Sequence, residues 1–134
     1  MSRPIKYKFW DKEEKVMMGP NLDSERYRVC SYNGLGLIDM DREDEDGYEY
    51  EMDVEVLQWT GLCDRNGKEI YDRDLLQDEY GIGEVEWVQE HCAFMVFTRN
   101  PSMYHRLESD GKLQLTEVIG NIYTHPHLME VSNT

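Results

Sequence analysis

"TGLCDRNGKEIYDRD", residues 60–74, sets three Asp and one Glu around an Asn-Gly pair. Such letters suit either an oxygen-rich loop for a cation or the tight turn of a β-hairpin. A calcium loop of the EF-hand type needs oxygen ligands at alternate positions, a Gly in sixth place and a bidentate acid in twelfth. Counted from Asp64, Asn66 is third, but Gly67 is fourth and Glu69 is sixth, so the register fails. Asp64, Asn66 and Gly67 instead carry the chemistry of a hairpin turn, with Gly67 the residue that takes positive φ. The flanks "VLQWTGL" and "KEIY" are rich in strand formers, so the stretch reads as β-turn-β.

The same reading extends outward in both directions. Ile5, Tyr7 and Phe9 alternate with Lys6 and Lys8, which predicts a first strand, and "DKEEK" is a polar turn. "RYRVCSY" predicts a second strand, with Tyr27 and Val29 opposite Arg26, Arg28 and Cys30, followed by turn residues at "NGLG", 33–36. Downstream, Val85 and Trp87 face away from Glu84 and Glu86, "QEHC" turns, and "AFMVFT" returns. This predicts a hairpin from Gly83 to Thr98. "RNPS" breaks the chain, a looser hairpin is expected about Asp110-Gly111, and "TEVIGNIYTHPHLM" closes with a strand or helical turn ended by Pro126. No segment carries a long 3.6-residue apolar stripe, so the fold class is all-β.

Residues 39–55 hold ten acids and one base, Arg42, which is −9 of the total charge of −14. The first half is a solvated loop. From Tyr48 the chain alternates, Tyr48, Tyr50, Met52, Val54 and Val56 against Glu49, Glu51, Asp53 and Glu55. A helix does not keep period two, so this predicts one strand with a core face and a row of carboxylates on its outer face. Such a row could deter edge pairing, or could imitate the phosphate spacing of DNA and occupy a basic groove on a partner.

The chain of 134 residues can bury one core, in a single domain or in one with two lobes. Its acidity argues against direct nucleic-acid binding, which needs clustered Lys and Arg. It contains no apolar run long enough for a membrane span and no signal peptide, so a cytosolic protein is expected. Cys30, Cys63 and Cys92 are odd in number and spaced for neither a disulfide framework nor a zinc ribbon; they read as reduced, mostly structural thiols.

Sites of chemistry are sparse. Asp64, Asn66, Asp72 and Asp74 could form a loose oxygen site, the basis of a metal-dependent enzyme, but turn residues account for the same letters. His125 and His127 lack a third ligand, and His91-Cys92 is a poor dyad because adjacent residues point apart. There is no nucleophile elbow, phosphate loop, dinucleotide fingerprint or HExxH motif. Trp10, Trp59, Trp87, Tyr71 and Phe94 read as core. Neither an enzyme nor a cofactor is indicated.

Three blocks, "RPIKYKFWDKEEKVM" (3–17), "LQWTGLCDRNGKEIYDRDLL" (57–76) and "EVIGNIYTHPHLME" (117–130), resemble the YopX family of small bacteriophage and prophage proteins. The resemblance implies an SH3-type barrel in the C-terminal part, 58–134, with an N-terminal β portion, 1–57, packed on it, or one continuous domain. The family usually carries Gly between the acids that follow Ile-Tyr, where this chain has Arg73. Either Arg73 is strained in a left-handed backbone or the turn differs. The resemblance implies no catalytic residues. The functional expectation is a non-catalytic, cytosolic phage accessory protein that binds a host or phage protein, with self-association open at any unpaired sheet edge. Nucleic-acid mimicry by Glu49, Glu51, Asp53 and Glu55 is the alternative, and the metal-dependent enzyme a second one.

Overall fold

Alternating strand formers between turn residues give twelve β-strands among the described residues. The computed structural model describes residues 6–31, 34–78, 81–99, 102–107 and 115–128. The chain divides into two units, Lys6–Leu57 and the segment from Gln58 onward. All-β architecture holds throughout.

In the N-terminal unit, β1 (Tyr7–Asp11) pairs antiparallel with β2 (Val16–Met18), Phe9 opposite Met18. The "DKEEK" turn between them is held by Asp11, whose Oδ1 accepts the N–H groups of Glu13 at 3.0 Å and Glu14 at 3.2 Å. A three-stranded sheet follows in the order β3 (Tyr27–Cys30), β4 (Gly36–Glu43), β5 (Glu49–Glu51). Phe9, Leu37 and Met52 form the core, with Tyr27, Tyr50, Val54 and Val56 packed around them.

The single strand expected from Tyr48 to Val56 is two strands, β5 and β6 (Val54–Cys63). Met52 N–H still donates to Leu37 O of β4 at 2.8 Å, while Asp53 O already accepts Lys12 N–H at 3.0 Å. The chain therefore changes pairing partner within one residue, where Met52 drops into the core. Period two survives this break because Tyr50, Met52, Val54 and Val56 all reach one cluster. Tyr48 does not; it sits in the preceding turn, 72% exposed.

In the C-terminal unit, β6 continues and pairs with β7 (Glu69–Tyr71), Trp59 opposite Tyr71, across an irregularity. Then come β8 (Asp74–Asp78), β9 (Gly81–Val88), β10 (Ala93–Arg99), β11 (Ser102–Arg106) and β12 (Glu117–Asn121). They form one sheet in the order β11-β10-β9-β8-β12, curled into a half-barrel. The β9–β10 hairpin has the expected register, Gly83 opposite Thr98 and Val88 opposite Ala93. Gly83 is required there, since a Cβ would lie 2.5 Å from Val96 Cγ1. Ile70, Leu76, Val85, Val96 and Val118 make the core. Each such buried aliphatic contributes roughly 1.5–3 kcal/mol. The expected hairpin at Asp110-Gly111, the start of the first strand at Ile5, Asn33 and the Asn100-Pro101 break lie outside the described residues.

Two expectations for side chains are corrected. Trp87 is not core: with Phe94 it forms the second cross-strand pair from the 89–92 turn, near the strand end, and it is 45% exposed. Cys63 and Cys92 are exposed, so neither supports the core.

Candidate functional site

Asp64 closes the central turn and reaches beyond it. Its Oδ1 accepts the N–H groups of Asn66 at 2.8 Å and Lys68 at 2.9 Å, and its Oδ2 accepts Val118 N–H at 2.9 Å. Gly67 sits at φ +80° in the same turn. Burial opposes ionisation of Asp64, but the three amides of Val118, Lys68 and Asn66 outweigh it, and its pKa lies below the usual carboxylate value. Asp74 is buried too, and accepts Tyr71 N–H at 2.8 Å. Asp72 differs. Its Oδ1 is buried with no hydrogen-bond partner, and burial, against the opposing charge of Arg73 and with the added charge of Glu86, raises its pKa. The three carboxylates of the conceivable metal site thus stand in three distinct environments. Among the described residues no group of three or more His, Cys, Asp or Glu is placed to hold a metal ion.

Arg73 keeps the left-handed backbone, φ +70°, and the strain is held from several sides. Its N–H donates to Val85 O at 2.8 Å, and its carbonyl accepts Ile122 N–H at 3.1 Å. Its guanidinium Nη1 lies 2.8 Å from Glu84 Oε2 and 2.9 Å from Glu86 Oε1. The turn keeps its left-handed residue, and Arg73 gains ion pairs that a Gly could not make.

The C-terminal block is equally structural. Asn121 Oδ1 accepts the N–H groups of Tyr123 at 3.0 Å and Thr124 at 2.9 Å, capping the turn after β12. His125 folds back over Gly120, where a Cβ would lie 2.5 Å from its Nδ1. Thr124 Oγ1 is 2.7 Å from that same nitrogen. Through Asp64–Val118 and Arg73–Ile122 the central and C-terminal blocks brace one another.

The described surface of this unit includes a groove of about 420 Å³ lined by Gln58, Thr60, Trp87, Cys92, Ala93 and Phe94. Phe94 packs on the core on one side and meets Trp87 edge-on, ring centroids 5.2 Å apart. Trp87 Nε1 donates to Gln89 Oε1 at 3.0 Å, which fixes the indole. The turn beneath contains a 3-10 segment, Gln89–His91, and Cys92 at φ +46°. Period-two reading placed both aromatics in the core; the signal that marks them is their position beside the turn.

In the N-terminal unit the four predicted carboxylates do not share one strand. Glu49 and Glu51 lie on β5, Glu55 on β6, and Asp53 between them. Glu49 pairs with Arg28 at 2.6 Å, and Lys12 reaches both Asp53 at 3.4 Å and Glu55 at 3.0 Å. Glu51 makes no ion pair among the described residues. No helix among those residues is long and apolar enough to cross a membrane.

The chain is all-β and divides into two units, and its central and C-terminal blocks brace one half-barrel. The profile of the YopX protein family matches residues 6–130, and the chain belongs to that family. The fold is shared with protein EF1440 from Enterococcus faecalis, at 20% identity and a TM-score of 0.55, covering 96% of this chain and 99% of that one. It is shared also with protein yopX from Bacillus subtilis, at 20% identity and a TM-score of 0.58, covering 92% and 96%. No curated protein gives a significant match.

Proposed function

We propose that this chain is a non-catalytic accessory protein of phage or prophage origin, working in the bacterial cytosol by binding a host or phage protein through the Trp87–Phe94 groove. One observation carries the reading: a large aromatic, 45% exposed, stands at the wall of a groove, hydrogen-bonded to Gln89 and edge-on to Phe94. Pre-positioned Trp side chains that can be desolvated by a partner dominate many protein interfaces. The conspicuous acids Asp64 and Asp74 are meanwhile bonded to backbone amides. An SH3-type reading of the half-barrel suits the same role, by analogy of fold.

The test is affinity capture from bacterial lysate, with and without phage infection, comparing wild type with Trp87→Ala and with the quadruple variant Glu49→Gln, Glu51→Gln, Asp53→Asn, Glu55→Gln. A species captured by wild type and the quadruple variant but lost with Trp87→Ala supports the groove. Its affinity should fall by about thirtyfold, the cost of losing a central aromatic anchor. Capture unchanged by Trp87→Ala, and displaced by duplex DNA, would overturn the groove in favour of the acidic strands.

A further inference from the structure

The Trp87–Phe94 groove lies on the C-terminal unit; a second surface lies on the N-terminal one. The tip of the β4–β5 hairpin forms a concavity of about 330 Å³ lined by Met40, Arg42, Glu43, Gly47, Tyr48 and Glu49. Met40 is 43% and Tyr48 72% exposed, so two large apolar side chains stand in water in the most acidic part of the chain. Across the hairpin Glu43 and Glu49 are direct register partners. Like charges placed opposite one another destabilise a strand pair, and a cation between them would relieve the cost.

The two arginines beside this tip pair with other groups and not with Glu43. Arg28 pairs with Glu49 from one side. Arg42 lies over the Tyr50 ring, 4.0 Å from its centroid, and 3.8 Å from Glu13. Glu43, Glu45 and Asp46 make no ion pair among the described residues. The turn itself is already ordered: Asp44 Oδ1 accepts Asp46 N–H at 2.9 Å and Tyr48 N–H at 2.8 Å, and Asp44 N–H donates to Tyr48 O at 2.9 Å. A preformed turn lowers the entropy lost on binding.

We infer that this hairpin tip docks a basic protein segment, one that sets an apolar side chain on Met40 and Tyr48 and a Lys or Arg against Glu43 and its neighbours. The charge selects the occupant. A nucleic acid would be repelled, a second copy of a chain at −14 would be repelled too, and a bare metal ion would leave Met40 and Tyr48 without a role.

The inference is tested on the full chain with a short labelled peptide that alternates Lys with Leu, by fluorescence anisotropy at low and physiological salt. Two control peptides replace Leu by Ser or Lys by Glu. Binding is expected for the Lys-Leu peptide alone, weakened by salt as screening grows. Met40→Ala with Tyr48→Ala should weaken it about tenfold, and Glu43→Gln with Glu45→Gln and Asp46→Asn should weaken it at low salt. Both sets change exposed side chains, and circular dichroism checks that they fold. Trp87→Ala should leave the peptide's affinity unchanged, which separates this surface from the groove. Equal binding of the Lys-Ser peptide, indifference to the Met40 and Tyr48 changes, displacement by calcium in place of salt, or loss with Trp87→Ala would each overturn the inference.

Discussion

The Asp64 carboxylate accepts the backbone N–H of Val118 at 2.9 Å, and so ties the central turn to a strand 54 residues further along the chain. Two more amides, those of Asn66 and Lys68, share the same side chain. Asp64→Ala leaves three donors without their acceptor, one of them buried, and should cost roughly 3 kcal/mol. Urea denaturation of the purified variant measures it, and a cost under about 1 kcal/mol would show that water replaces the carboxylate.

Arg73 combines a strained backbone with two ion pairs, and the two effects can be separated. Arg73→Gly in the wild-type protein removes strain but leaves Glu84, mostly buried, and Glu86 without their cation; the variant should be less stable. In a Glu84→Gln, Glu86→Gln background the same change should stabilise by about 1 kcal/mol, since only the left-handed backbone is then relieved. A double-mutant cycle by denaturation tests the reversal of sign.

The carboxylates make acid stability a signed prediction. The Arg26 guanidinium, bonded through Nε and Nη2 at 3.1 Å, overcomes burial and holds Asp39 below its ordinary pKa, and three amides do so for Asp64. A depressed folded pKa gives stability that is present above the unfolded value, about 3.9, and is lost as pH falls through the folded one. Asp72 has the opposite sign. Its raised pKa is a cost fully present above the folded value and absent below the unfolded one. Asp72→Asn should therefore raise the melting temperature at neutral pH, with the gain fading as pH falls through the raised folded pKa and gone below about pH 3.9. Melting curves across that range decide it.

Gly120 and His125 are matched in space. Gly120→Ala would place a Cβ 2.5 Å from the imidazole, and should cost about 2 kcal/mol through overpacking. Adding His125→Ala should restore the contact part of that loss, leaving the cost of a Cβ at φ +159°. No recovery at all would place the whole cost in the backbone of β12.

Period-two alternation was enough to read the β9–β10 hairpin, because both strands bury one face and the turn sits between them. It was not enough to see the break at Met52-Asp53. Alternation records which face is buried, not which strand is the hydrogen-bonding neighbour, and Met52 and Val54 bury on the same side while pairing differently. The turn at Asp64-Gly67 was legible from its residue types. Its bond to Val118 was not, since no local pattern encodes a partner 54 residues away. Trp87 failed in the opposite direction: its pattern is that of a core residue, and only its closeness to the strand end exposes it.

Site-specific photo-crosslinking in cells tests the central claim, that the Trp87–Phe94 groove docks a protein, most directly. A photoreactive residue replaces Ala93, within the groove, and in a control it replaces exposed Glu25. The account predicts a discrete protein adduct from position 93 that Trp87→Ala abolishes and that position 25 does not form. No adduct from position 93, or the same adduct from both positions, would contradict it.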